Sequence, residues 1–154
     1  ANYELELADD GTITAKTGGS SFTATTTYAI NNWYHVVYTR SAGGVCKLYV
    51  NGSYETTANH AGDVDNTIVL RIGGDFDGSS STLDYNGIID NVSIWNTELT
   101  LAHVRTLYIQ NKDFDITNLS GVGLVSHWNF DDETATDQQG NNHGTITNAS
   151  ATGV

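Results

Sequence analysis

What most constrains this chain is a repeated exchange. Short runs of β-branched and aromatic residues each close on a Gly, Asn or Asp turn, along 154 residues without a proline. That rhythm is the pattern of an antiparallel β sandwich, because strand side chains alternate between two faces and tight turns reverse the chain. The candidate strands are Tyr3–Leu7, Thr12–Lys16, Ser21–Thr26, Trp33–Arg40, Val45–Val50, Ser53–Thr57, Thr67–Ile72, Asn86–Trp95 and Leu124–Phe130. Asp9-Asp10-Gly11 and Asn51-Gly52 are strong hairpin signals, since Asp, Asn and Gly tolerate the positive φ that such turns require. Gly18-Gly19 and Gly43-Gly44 mark two more turns. One helix is predicted: Thr100 can cap an N-terminus, and Leu101, Val104, Leu107 and Tyr108 follow at helical spacing. It is short and should lie across one edge of the sandwich. Residues 110–123 turn polar and read as a connector, and from Asn148 the tail is small and polar.

Charge narrows the partners. Eighteen acidic against six basic side chains give a formal charge of -12. A field of that sign repels phosphate backbones and anionic bilayers, so neither nucleic acid nor a membrane surface is an expected partner. No apolar run approaches the ~20 residues that span a bilayer. The excess Asp can hold divalent cations, keep a crowded assembly soluble, or suit high-salt water. Cys46 is the lone cysteine, so no internal disulfide forms; beside Val45, Leu48 and Val50 it reads as a small, partly buried hydrophobe. No charged-then-apolar leader opens the chain, and Ala1 is expected to be a processed or internal start. That leaves export and virion assembly open.

Five segments then occur in a telling order. Trp33-Tyr34-His35-Val36 resembles a Trp-x-His-Val signature, and Lys47-Leu48-Tyr49-Val50-Asn51-Gly52 a Leu-Tyr-Val-Asn-Gly hairpin. Leu70-Arg71-Ile72-Gly73-Gly74 is similar to Leu-x-Ile-Gly-Gly, and Gly87-Ile88-Ile89-Asp90-Asn91-Val92-Ser93-Ile94-Trp95-Asn96 to Gly-x-Ile-Asp-Glu-Val-x-Ile-Tyr-Asn. Leu99-Thr100 through Leu107-Tyr108 looks like a Leu-Ser…Leu-Tyr closing helix. Together these resemble the laminin-G-like, concanavalin A-like lectin/glucanase family. The resemblance implies an all-β, two-sheet antiparallel jelly roll with one short peripheral helix.

The tail resembles that family's opening. Trp128-Asn129-Phe130-Asp131 and Asp137-Gln138-Gln139-Gly140-Asn141-Asn142-His143-Gly144 are similar to Trp-x-Phe-Asp…Asp-x-Ser-Gly-Asn-x-Asn-His-Gly, with Gln where Ser is usual and a slightly shorter loop. The expected organisation is a sandwich over 1–109 lacking its usual first strands, a connector over 110–123, and a strand and loop over 124–154. That last piece either completes the same sandwich or belongs to a neighbouring one. Exchange between subunits would remove unpaired edge strands, which are an aggregation liability. A closing helix, a connector and then a Trp-x-Phe strand is similar to the order in marine bacteriophage structural proteins and large microbial surface proteins.

Two groups of residues are candidates for a site. Alternation along Ile88–Trp95 would align Asp90 with Ile88, Val92 and Ile94, where a bare carboxylate needs a cation, backbone donors or a rim position. The Asp137–Gly144 loop is rich in oxygen ligands and Gly, which suits calcium better than zinc. The resemblance implies a structural calcium held by Asp90, Asp137 and Asn142. The alternative is that Asp90 accepts turn N–H groups and Asp137 makes an Asx-turn. A second acidic set, Asp63, Asp65, Asp75 and Asp77, flanks Thr67–Ile72. If both loops reach one rim these could form a cation or sugar-hydroxyl site, with Asp75 and Asp77 lining it and Tyr85 and Trp95 as an aromatic platform; otherwise they are solvated turns and Trp95 packs in the core.

Nothing points to chemistry. His35, His60, His103, His127 and His143 show no metal-ligand spacing, and the glutamates show no paired-carboxylate strand of the glucanase kind. Asn-x-Ser sequons at Asn51, Asn91, Asn118 and Asn148 arise readily by chance in a chain this rich in Asn and Ser. The expectation is a non-catalytic surface module of a virion or extracellular assembly. Its partners would be copies of itself, proteins of that assembly, and host glycans. A free calcium-dependent lectin-like domain is the alternative, and a divergent polysaccharide hydrolase or lyase ranks last.

Overall fold

Asn51 and Gly52 take φ of 49° and 74°, the paired left-handed geometry of a two-residue hairpin. Gly11, Gly18 and Gly44 are also at positive φ, at three further reversals read from the sequence. These turns delimit the strands. The fold is taken from a computed structural model that describes residues 3–18, 20–60, 62, 69–75, 83–110, 114–147 and 149. Antiparallel strands dominate it, with a single α-helix among the described residues, as the all-β expectation requires. The chain divides into two compact units, Ala1–Ile72 with Glu98–Phe114, and Gly73–Thr97 with Asp115–Val154.

In the first unit, β1 (Tyr3–Leu7), β2 (Ile13–Thr17) and β3 (Ser20–Thr23) form one meander. A second meander comprises β4 (Val36–Arg40), β5 (Val45–Val50) and β6 (Ser53–Asn59). Their inward residues alternate, and they meet in one cluster: Ile13, Ala15, Phe22 and Ala24 from the first sheet, Cys46, Leu48 and Val50 from the second. Leu48 is wholly buried, which stabilises the unit by about 1.5–3 kcal/mol relative to exposure. Cys46, expected to be partly buried, is wholly so and accepts the Tyr38 hydroxyl at 3.2 Å. Helix α1 (Leu101–Gln110) starts at Thr100, whose Oγ1 accepts the His103 N–H at 3.3 Å while His103 Nδ1 accepts the Thr100 N–H at 3.3 Å. This reciprocal cap satisfies two donors at the helix start. The Lys47 ammonium reaches Glu98 at 2.8 Å and ties the segment leading into α1 to β5.

The second unit holds a short ladder of β7 (Gly74–Asp75) with β8 (Leu83–Asp84), and an antiparallel pair of β9 (Val92–Trp95) with β10 (Leu124–Trp128). A 3₁₀ turn over Ile116–Asn118 precedes β10, capped by the Asp115 side chain.

Several strand expectations need correction. β4 begins only at Val36 rather than Trp33, and Val69–Ile72 are not strand, while Thr67 lies outside the described residues. The predicted strand Asn86–Trp95 shortens to Val92–Trp95, because Asn91 sits at φ 52° and breaks the extended run. The even alternation of Ile88, Asp90, Val92 and Ile94 therefore does not hold across Asn91. β10 stops at Trp128 because Phe130 is itself at φ 58°.

Candidate functional site

β10 turns Ser126 and Trp128 inward, where both are buried, and leaves His127 on the opposite face. The loop that follows closes back on this strand. Gln138 donates its backbone N–H to the His127 carbonyl at 2.8 Å, and the Trp128 indole donates to the Asn142 carbonyl at 3.0 Å. Asn142 Nδ2 donates to Ser126 Oγ at 2.7 Å. The loop is thus stitched along the inward face of β10 by side chains that the strand itself presents.

At its centre Asp137 is 1% exposed. Its Oδ1 accepts the backbone N–H groups of His127 at 2.9 Å and Gln139 at 3.0 Å. Its Oδ2 accepts those of Asn142 at 3.0 Å and Asn141 at 3.3 Å. Burial by itself raises the Asp137 pKa, but the four N–H donors outweigh it and bring the carboxyl to about 2. The group is ionised at neutral pH and acts as the fastening of the loop.

This geometry bears directly on calcium. A carboxylate offers about four lone-pair sites, and Asp137 has four donors aimed at them. Asn142 spends its backbone oxygen on Trp128 and its side-chain nitrogen on Ser126. Asp90, just outside β9 and half-buried, takes a hydrogen bond from Asn91 Nδ2 at 3.0 Å. Asp137 does not fit a calcium ion, because its oxygens face N–H groups rather than an open coordination sphere. Among the described residues no three His, Cys, Asp or Glu side chains gather to hold a metal.

Acidic side chains act on a histidine of β10. His127 Nε2 lies 3.1 Å from Asn91 Oδ1, which bridges β10 to the start of β9. Burial lowers the His127 pKa; Asp131, Asp137, Asp90 and Asp115 pull it upward, and the balance stays below the ordinary histidine value. Asp131 is held by Asn129 Nδ2 at 2.7 Å, and Asn129 in turn accepts from Gln138 Nε2 at 3.1 Å. His35, at the entry to β4, also has its pKa lowered by burial, with its ring 5.9 Å from Tyr108.

Of the sugar-platform residues, the β7–β8 ladder sets Asp75 and Tyr85 on neighbouring segments, with the Tyr85 N–H donating to the Gly73 carbonyl at 2.8 Å. Asp75 lies in β7, while Asp63, Asp65 and Asp77 are outside the described residues. The Tyr85 ring packs over Gly87, where an added Cβ would lie 2.6 Å from it. Trp95 donates its indole N–H to Ser93 Oγ on its own strand at 3.0 Å. Among the described residues no ring pair joins Tyr85 to Trp95. Trp33, read from the sequence as a strand residue, is 58% exposed instead. Its signal was the preceding Asn31-Asn32 pair, with Asn31 at φ 61°, which is turn chemistry rather than strand chemistry.

Comparison with known proteins places this arrangement. A family model described as the concanavalin A-like lectin/glucanases superfamily, of the laminin-G kind, matches residues 1–105. A Bacteroides ovatus protein provisionally named as carbohydrate binding has a similar fold, with a TM-score of 0.70 at 20% identity over 90% of this chain. The chain spans 43% of that protein. An S-layer domain-containing protein of Clostridium thermocellum aligns with a TM-score of 0.45 at 23% identity, over 69% of this chain and 55% of its own. No curated protein matches at a significant level. Antiparallel strands with one helix, together with a family match over residues 1–105, show that the chain belongs to the concanavalin A-like lectin/glucanase superfamily, whose fold is the jelly-roll β sandwich.

Proposed function

We propose that the chain is a non-catalytic recognition module carried on an extracellular or virion-surface assembly, which it decorates and through which it attaches weakly to glycans. The observation that carries this reading is the state of Asp137, a buried acid closed on four backbone N–H groups. It titrates at about 2, so at neutral pH it has no proton to give to a leaving group. Glycoside cleavage needs a carboxyl group kept protonated beside a second carboxylate. Among the described residues, each carboxyl group with a displaced titration, namely Asp10, Glu55, Asp115, Asp132 and Asp137, moves downward. Asp10, Asp115 and Asp132 are each held by the hydroxyl of a Thr two residues on, so these acids build turns.

Loops fastened by their own hydrogen bonds suit weak recognition of sugar hydroxyls, and the name of the Bacteroides ovatus relative supports a glycan as the ligand. The acidic surface suits repeated display, because like charge keeps crowded modules apart. Its partners are then further copies of itself and the proteins of the assembly. Electrophoresis through gels cast with soluble polysaccharides tests the reading. Retardation in at least one gel, without release of reducing ends, is expected. Reducing ends whose release disappears with one carboxylate substitution would overturn it.

A further inference from the structure

We infer that Trp33 is the stacking platform of a saccharide site on the first unit, and that the sugar it takes is neutral. The inference rests on glycan binding as proposed above and names its contact surface. Of the three tryptophans, Trp128 is 4% exposed and donates its indole N–H to Asn142, and Trp95 donates to Ser93. Trp33 differs: it is 58% exposed, and among the described residues its indole N–H has no protein partner. An exposed indole with a free donor offers an apolar face for sugar C–H groups and an edge that can bond a hydroxyl.

The loop that carries it is held from both ends. On the upstream side Tyr28 donates its backbone N–H to the Gly11 carbonyl at 2.8 Å. On the downstream side the His35 N–H donates to Asn51 Oδ1 at 3.0 Å, and the Asn51 N–H returns to the His35 carbonyl at 2.8 Å. Inside the loop, the Tyr34 hydroxyl accepts the Ala29 N–H at 3.0 Å and lies 3.2 Å from the Ala29 carbonyl, to which it can donate. The Tyr28 and Tyr34 rings pack edge-on at 4.8 Å. A loop fastened this way loses little conformational freedom when a ligand arrives, which favours binding to a small contact.

Its surroundings select the ligand. Asn31 is exposed with no protein partner for its side chain among the described residues, and Asn32 spends only its Nδ2, on the Ile30 carbonyl at 3.0 Å. The Asn31 amide and the Asn32 Oδ1, next to Trp33 in the chain, can meet pyranose hydroxyls while the indole face meets its C–H groups. Ile30, three residues before Trp33, is exposed as well, so a protein contact is followed as an outcome of the same test. From Ala24 to Thr39 the chain has no Lys or Arg, and its net charge is -12, so sulfated sugars and uronates are repelled.

The test is a titration of the intact chain with soluble laminarin, mannan, xylan, galactan and sulfated carrageenan. Tryptophan emission is followed, with self-association measured by sedimentation. A neutral polysaccharide should shift the emission to the blue saturably. Trp33→Ala should weaken that binding about tenfold with an unchanged melting temperature, and Trp33→Tyr should keep most of it. Unaltered binding by Trp33→Ala overturns the platform and leaves the proposed glycan binding standing. Binding to no polysaccharide overturns both. Preference for carrageenan overturns the neutral ligand, and loss of self-association alone in Trp33→Ala makes the surface a protein contact.

Discussion

Removing the carboxylate of Asp137 is the most exacting test of the second unit. Two of its four donors, the N–H groups of His127 and Gln139, belong to half-buried residues, whereas Asn141 and Asn142 are exposed and can be rehydrated. A buried donor left without its acceptor costs about 1–3 kcal/mol, so the two together put the loss for Asp137→Ala at about 2–6 kcal/mol. Acid offers an independent measure. The folded carboxyl titrates at about 2 against an ordinary 3.8, so its ionised form contributes about 2 kcal/mol above the unfolded value. The sign follows: this contribution is complete above about pH 4 and disappears as pH falls through about 2. Urea unfolding read by Trp128, whose indole is fastened to the same loop, supplies both numbers. The stability gap between the parent and Asp137→Asn should narrow between pH 4 and pH 2, since the amide cannot titrate. A loss under about 0.5 kcal/mol for the alanine variant, or a gap that stays constant with pH, would refute the reasoning.

Three further outcomes follow from the same geometry. Because the Asp137 oxygens are taken up by N–H groups, neither calcium nor a chelator should move the melting temperature; saturating calcium that raised it by several degrees would show a bound ion. Leu48→Ala opens the shared core of the two meanders and should cost about 2–5 kcal/mol in urea unfolding, a smaller loss meaning that the cluster collapses to fill the gap. Gly52→Ala puts a Cβ at φ 74° and 2.9 Å from the Tyr108 ring, so it should destabilise by more than about 1 kcal/mol, and near-neutrality would show that α1 yields.

How much of this was legible depended on how few conformations a residue could share. The turns were readable because positive φ admits few residue types, and Gly11, Gly18, Gly44, Asn51 and Gly52 all take it. The strand interiors were readable from alternation, as in the inward Cys46, Leu48 and Val50 of β5. Asn91 defeated the same logic. Apolar residues continue the period on both sides of it, and Asn enters either extended or left-handed backbone without large penalty, so the break at φ 52° left no mark in the pattern. Trp33 was misplaced for a related reason: an aromatic run promotes strand, while the Tyr34–Ala29 bonds that hold it in a loop involve no periodic position.

The site shows a deeper limit. A buried carboxylate can be satisfied by a cation or by backbone hydrogens, and a sequence displays side-chain oxygens while hiding every N–H. Asp137 followed by Gln, Gln, Gly, Asn and Asn reads equally as a calcium loop and as an Asx-turn. The local bonds to Gln139, Asn141 and Asn142 belong to the turn reading and were available from spacing. The bond from His127, ten residues upstream, was not, because it exists only once the loop lies along β10. That long-range donor occupies the fourth acceptor position, so it is the pairing of loop with strand that turns an apparent metal ligand into a fastening.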